Sequence, residues 1–183
     1  RFKRGKKNII PKTIFVIDRY AFSIAKKKFG KKVKLLNNFY FKSIKKNKFK
    51  FKFNNKILYL SSNNDLNLKK QFISDKEIFN RFLIKFKKEF KKYRTLLIRL
   101  HPTEKDQKYN KIIINNNYKI KIKIDKSKNI YEALKKVSVV AGFDSMGLVI
   151  AKLKGLKSFN LKLKNSFEKN YIPDEFVTKT IKI

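Results

Sequence analysis

The sequence predicts an α/β protein with a doubly wound, Rossmann-like parallel sheet, and three observations predict it. From residue 57 onward, short apolar runs alternate with helix-period segments, as such a sheet requires. The two runs that a strand order of 3-2-1-4-5-6 places at the edges, Tyr118 to Ile124 and Thr178 to Ile183, alternate apolar residues with Lys, which suits half-buried strands and blunts edge pairing. The runs placed centrally, Ile57 to Leu60 and Val137 to Ala141, show little alternation.

Taken in chain order, Thr13 to Ile17 is a β-branched apolar run, Asp18 caps a helix that runs to Phe29 and stops at Gly30, and Val33 to Leu36 is a second short strand. This βαβ piece is the expected end of one Rossmann-like domain, residues 1–45. Lys42 to Asn55 is dense in Lys and Asn, so residues 46–56 are expected to form a basic linker. Phe49, Phe51 and Phe53 alternate with Lys48, Lys50 and Lys52 there, which suits a solvated edge or a basic aromatic patch on an anionic membrane surface. Residues 57–183 then carry six strands: Ile57 to Leu60, Thr95 to Leu100, Tyr118 to Ile124, Val137 to Ala141, Lys157 to Leu161 and Thr178 to Ile183. Ser74 and Glu77 form a capping box ahead of Ile78, Phe79, Phe82, Leu83, Phe86 and Phe90, which recur at helical spacing. A second helix starts at Asn129 with Glu132 three residues on, and a third runs from Met146 to Lys154 and stops at Gly155.

Composition excludes several classes. The absence of Cys removes disulfides, thiol nucleophiles and Cys-ligated metals, and a single His removes a multi-histidine centre. No apolar run approaches the ~18 residues of a spanning helix. The residues that start at Arg1 lead into Pro11 and a short strand, without the apolar core of a signal peptide. An opening Arg in place of Met suggests a fragment of a longer protein. Net charge is +36, which ordinarily points to a polyanion partner. Here Lys, Ile, Asn and Phe make up 101 of 183 residues, and their codons are the richest in A and T. An AT-rich genome therefore accounts for the charge without selection for nucleic acid.

In a sheet of this order, ligands lie beyond the carboxyl ends of the strands, at the switch point between the first and fourth of the six. Ser61-Ser-Asn-Asn64, His101-Pro-Thr-Glu104 and Gly142-Phe-Asp-Ser-Met-Gly147 all fall there. The last is a small-residue turn into a helix, whose N–H groups and Ser145 hydroxyl suit a phosphate. No GxGxxG or GxxxxGK[ST] is present, which excludes the usual dinucleotide fingerprint and the P-loop. His101, the sole imidazole, sits before Pro102 and faces the same ligand space on this reading, where it would balance or protonate a phosphate. Glu132 serves equally well as the cap partner of Asn129. Asp18 is best explained as a helix cap.

RLHPTE, NIYEALKKVSVVAGFDSMG and AKLKGLKSFNL resemble the donor-binding half of GT-B glycosyltransferases, and more narrowly bacterial sialyltransferases and polysialyltransferases, over Ile57 to Leu161. The resemblance implies that His101, with Pro102, contacts the phosphate of a CMP-sugar, that Glu132 holds the ribose, and that Gly142, Ser145 and Met146 form the phosphate turn. Ser61 and Ser62 are weaker candidates. It further implies a metal-independent transfer of a sialic-acid-like sugar onto a capsule or lipopolysaccharide glycan, with no cofactor, in the cytoplasm or at the inner membrane face. The general base would lie in N-terminal sequence outside this chain, with Asp18 the only local candidate. One departure is notable: the family shows two adjacent Ser where this chain has Asp144-Ser145, and a carboxylate repels phosphate unless a donor holds it. The competing readings are a CDP-glycerol-type glycerophosphotransferase or nucleotide-sugar epimerase relative, a nucleic-acid-binding module, and a catalytically inactive homologue.

Overall fold

The computed structural model describes residues 10–46, 48–49, 53–62, 66–68, 71–118, 120–164 and 172–183; for 66–68 and 71–73 it describes the backbone alone. The chain divides into two compact units, Arg1–Ser43 and Ile44–Ile183.

The first unit is the anticipated βαβ piece. Strand β1 (Ile14–Val16) leads into helix α1 (Arg19–Phe29), and β2 (Val33–Leu35) returns parallel to β1. The Asp18 carboxylate accepts the Ala21 N–H at 2.7 Å, satisfying one of the free donors of the first turn. Gly30 ends the helix with a φ of 58°, a left-handed value that a side chain would resist, and its N–H returns to the Lys26 carbonyl. A further helix, α2 (Phe39–Lys46), is not predicted by the sequence: its second half, residues 42–46, is the start of the Lys- and Asn-dense stretch. Asn38 starts it by accepting the Phe41 N–H at 2.9 Å. Phe51 and its neighbours 50 and 52, part of the basic aromatic run, lie outside the described residues.

The second unit holds the large sheet. Its strands are β3 (Lys56–Leu60), β6 (Thr95–Arg99), β7 (Lys121–Ile124), β8 (Val139–Gly142), β9 (Lys157–Lys162) and β10 (Lys179–Lys182), arranged β10-β9-β8-β3-β6-β7 with every neighbour parallel. This is the α/β Rossmann-like class and the strand order that the sequence texture predicts. The crossovers are carried by α3 (Asp75–Glu89), α4 (Asn110–Ile114), α5 (Ile130–Lys135) and α6 (Met146–Leu153). Between β3 and α3 lies an antiparallel hairpin, β4 (Leu66–Leu68) with β5 (Gln71–Ile73), in a segment for which the sequence predicts no element.

Strand ends differ from expectation where side chains take over the pairing. β7 starts at Lys121, not Tyr118, because Asn116 folds the preceding segment into a turn: its Oδ1 accepts the Tyr118 N–H at 3.0 Å and its Nδ2 donates to the Ile120 carbonyl at 2.6 Å. β8 starts at Val139 because the Ser138 hydroxyl is bonded to Asn54, accepting its N–H at 2.7 Å and donating to its carbonyl at 2.8 Å.

The core lies between α3 and the sheet. Ser74 caps α3 by accepting the Glu77 N–H at 3.3 Å, but the capping box is half made, since the Glu77 carboxylate pairs with Arg81. Ile78, Phe79, Phe82, Leu83 and Phe86 are buried against Tyr59, Leu96 and Ile98 of the sheet. Phe82 stacks on Tyr59 at 5.4 Å between ring centres and meets Phe86 and Phe90 edge-on at 5.8 and 5.9 Å. Among the described residues no helix is long and apolar enough to cross a membrane.

Candidate functional site

Strands β6 and β8 flank β3, so the segments that follow them leave the same edge of the sheet two strand positions, roughly 10 Å, apart. His101 follows β6 and Ser145 follows β8, which puts both at the carboxyl edge where the sequence places a ligand.

The turn after β8 is fixed by its backbone. Gly142 is paired with Leu60 across β3 and β8, and a Cβ there would come within 2.9 Å of the Leu60 carbonyl oxygen and 3.0 Å of the Leu60 Cβ. Because strand backbone cannot yield as a side-chain tip can, Gly142→Ala is expected to destabilise the protein by about 1–3 kcal/mol in urea unfolding. An unchanged midpoint would show that β3 and β8 can separate.

Asp144 occupies a left-handed conformation, φ 41°, which Asp tolerates better than most residues. It is held by Asn160, a buried residue of β9: the Asp144 N–H donates to Asn160 Oδ1 at 2.9 Å, and Asn160 Nδ2 donates to Asp144 Oδ1 at 2.8 Å. The Ile172 N–H reaches the same carboxylate oxygen at 3.4 Å. The departure from the Ser-Ser pattern therefore has a physical answer, since donors hold this carboxylate. Ser145 caps α6, its hydroxyl accepting the Gly147 N–H at 3.3 Å, and Met146 is the exposed first residue of that helix.

The loop after β6 is tied down by Glu104. Its Oε2 accepts the His101 N–H at 2.9 Å and its own N–H donates to the His101 carbonyl at 2.9 Å, closing the turn around Pro102. The His101 side chain is exposed, with Nδ1 2.8 Å from the Thr103 hydroxyl.

Other expected site residues are already engaged. Glu132 accepts the Lys128 N–H at 3.1 Å and lies 3.5 Å from Asn129 Nδ2, while its own N–H donates to Asn129 Oδ1 at 3.0 Å. This is a helix cap for α5. Asp18 is likewise the cap of α1 in the first unit. Ser61 and Ser62 are buried, and the Ser61 hydroxyl belongs to an internal network.

That network is the feature the sequence reading missed. Asp75, at the first position of α3, is 2% exposed and accepts from Tyr59 at 3.2 Å, the Ser62 N–H at 3.2 Å, Lys108 at 2.9 Å, and the Tyr109 hydroxyl in a short bond, with Ser61 Oγ 3.0 Å away. Glu104 accepts from Ser61 at 2.6 Å and from Lys108 at 2.5 Å. Burial depresses the Lys108 ammonium, but hydrogen bonds and charge from Glu104 and Asp75 outweigh it and leave its pKa raised. Burial first, then the Asp75 charge, raises both Tyr59 and Tyr109 as well. Although Lys108 Nζ is 3.3 Å from Ser61 Oγ, an ammonium so held cannot deprotonate a serine, and the cluster is no Ser-Lys nucleophile. The only local signal for it was the Glu104-to-Lys108 spacing of four. A separate ion pair, Arg99 to Asp125 at 2.9 Å, ties the carboxyl ends of β6 and β7 together. Among the described residues no cluster of acidic or His side chains could hold a metal ion.

No protein-family model matches the chain, and no curated protein does. Among solved structures, the fold is similar to that of KpsC from Thermosulfurimonas dismutans, described as a beta Kdo 2,4 transferase, with a TM-score of 0.44 and 10% sequence identity. The match covers 72% of this chain and 39% of that one, so the chain spans about two fifths of that protein's length.

Proposed function

We propose that the second unit binds a nucleotide-activated sugar at the carboxyl edge of its sheet and acts in glycosyl transfer. The observation that carries the proposal is the parallel sheet with its switch point between β3 and β8, flanked by an exposed His101 and by the Ser145-capped start of α6. On this reading His101 donates a hydrogen bond to the donor's phosphate and the positive end of α6 supplies the counter-charge, so no divalent ion is needed. The donor is a CMP-sugar of the sialic-acid type and the acceptor a cell-surface glycan such as capsule or lipopolysaccharide, as the HP and Ser-turn motifs suggest. Glu132, occupied as a cap, would meet the ribose only by giving up that bond. With Asp18 engaged in capping α1, the base that activates the acceptor is assigned to another part of the enzyme.

Titration with CMP, UMP and AMP at about 0.15 M salt tests the reading, because loose charge attraction is partly screened there. Saturable CMP binding is expected to weaken roughly 10- to 100-fold in His101→Ala, the loss of a hydrogen bond to a charged group. Ser145→Ala should weaken it too, with a melting curve run alongside because the lost cap costs about 1 kcal/mol. Equal, weak binding of all three nucleotides, unaltered by either change, would return the +36 charge to polyanion binding or to composition alone.

A further inference from the structure

We infer that Thr103 and Glu104 are positioning residues that fix the ring of His101 with its proton on Nε2, so that Nε2–H is the group offered to an anionic ligand oxygen. The inference deepens the donor-site proposal, but it can be decided in the free protein.

The argument starts from the Thr103 backbone. Its N–H donates to His101 Nδ1 at 3.4 Å, and a backbone N–H can only donate. At 3.4 Å this contact is long, so it biases Nδ1 toward accepting, and the neutral ring's proton toward Nε2, without fixing the tautomer alone. The Thr103 hydroxyl, 2.8 Å from Nδ1, is the shorter and stronger contact, and its donation to that lone pair is what fixes the tautomer in this inference. Both contacts come from a residue two positions along, so their geometry depends on the loop's backbone being held.

Glu104 holds it. The His101 N–H and carbonyl are both bonded to Glu104, one through its carboxylate and one through its backbone, each at 2.9 Å. That carboxylate is in turn fixed by Ser61 at 2.6 Å and Lys108 at 2.5 Å, and its side chain is 2% exposed. Pro102 restricts the residue between them. The ring therefore stands on a buried, charge-paired base while its other nitrogen has no partner among the described residues. A neutral ring presented this way gives a hydrogen bond to a phosphate oxygen and keeps its proton, so its contribution is charge stabilisation of the leaving group and not proton transfer.

His101 is the sole histidine, so the ring's nitrogen resonances need no assignment. With 15N-labelled histidine at about pH 8.5, two units above the ordinary imidazole range, the wild-type protein is expected to show Nδ1 unprotonated and Nε2 protonated, with widely separated shifts. Thr103→Val should draw the two shifts together as the tautomers mix, and Thr103→Ser, which keeps the hydroxyl, should restore the separation. CMP affinity should fall about fivefold in Thr103→Val, the weight of one hydrogen bond, and recover in Thr103→Ser. A wild-type ring protonated on Nδ1, or a Thr103→Val spectrum identical to wild type, overturns the inference. Absence of CMP binding by a wild-type protein with the expected spectrum would overturn the donor reading and leave the tautomer assignment standing.

Discussion

Replacing Lys108 with Met lowers the unfolding free energy by about 3–5 kcal/mol, because it leaves two carboxylates facing each other without a cation. Asp75 and Glu104 are each only 2% exposed at the side chain, and Lys108 is bonded to both, at 2.9 and 2.5 Å. The Lys108 side chain is 18% exposed and each carboxylate only 2%, so water reaching the ammonium's place still leaves both carboxylates poorly solvated. Asp75→Asn combined with Lys108→Met removes one charge of each sign and should recover part of the loss, which a double-mutant cycle would report. The sign of the pH dependence follows from the raised Lys108 pKa. A group held more firmly protonated in the fold contributes fully below its unfolded value, about 10.4 for Lys, and loses that contribution as pH rises through the folded value. The gap between wild type and Lys108→Met should therefore be constant from pH 7 to about 10 and close above it. A gap below 1 kcal/mol at pH 7, or one that widens with alkali, would show that the cluster holds together without its lysine.

Phe82→Ala is expected to cost about 3–5 kcal/mol in the same assay. Phe82 is fully buried and is the centre of an aromatic group, with Tyr59, Phe86 and Phe90 all within 6 Å between ring centres. Removing it leaves a ring-sized cavity between α3 and the central strand, bounded by rings too rigid to fill it. Ile84 on the same helix is 64% exposed, and Ile84→Ala should stay within about 0.5 kcal/mol. A similar cost for both would mean that helix propensity, and not the packing of one face, holds α3 in place.

These two sites mark how far the sequence could be read. The helical spacing from Ile78 to Phe90 announces the buried face of α3, and the Asp18, Ser74, Asn129 and Ser145 caps announce where helices begin, because each acts within three residues of itself. His101 and the Gly142-to-Gly147 turn were legible as a candidate site because both end strands whose place in the sheet their own texture betrays. Helix α2 was not legible, since its Lys-rich, Asn-rich surroundings match the composition of the whole chain and conceal a single buried residue, Ile44. The hairpin of β4 and β5 was hidden for a different reason, its Leu-Asn-Leu and Gln-Phe-Ile strands lying among Asn, Lys and Gln with only two apolar residues each.

By itself the sequence determined the class and the order of the six strands, both consequences of periodicity and capping within short windows. Only the tertiary structure decided which polar side chains meet. Asp75 and Lys108 are 33 positions apart, and Asp144 and Asn160 are 16 apart. Nothing local distinguishes these residues from the many Lys and Asn on the surface, because pairing of buried charges depends on distance through space, which the chain acquires only when the sheet has formed.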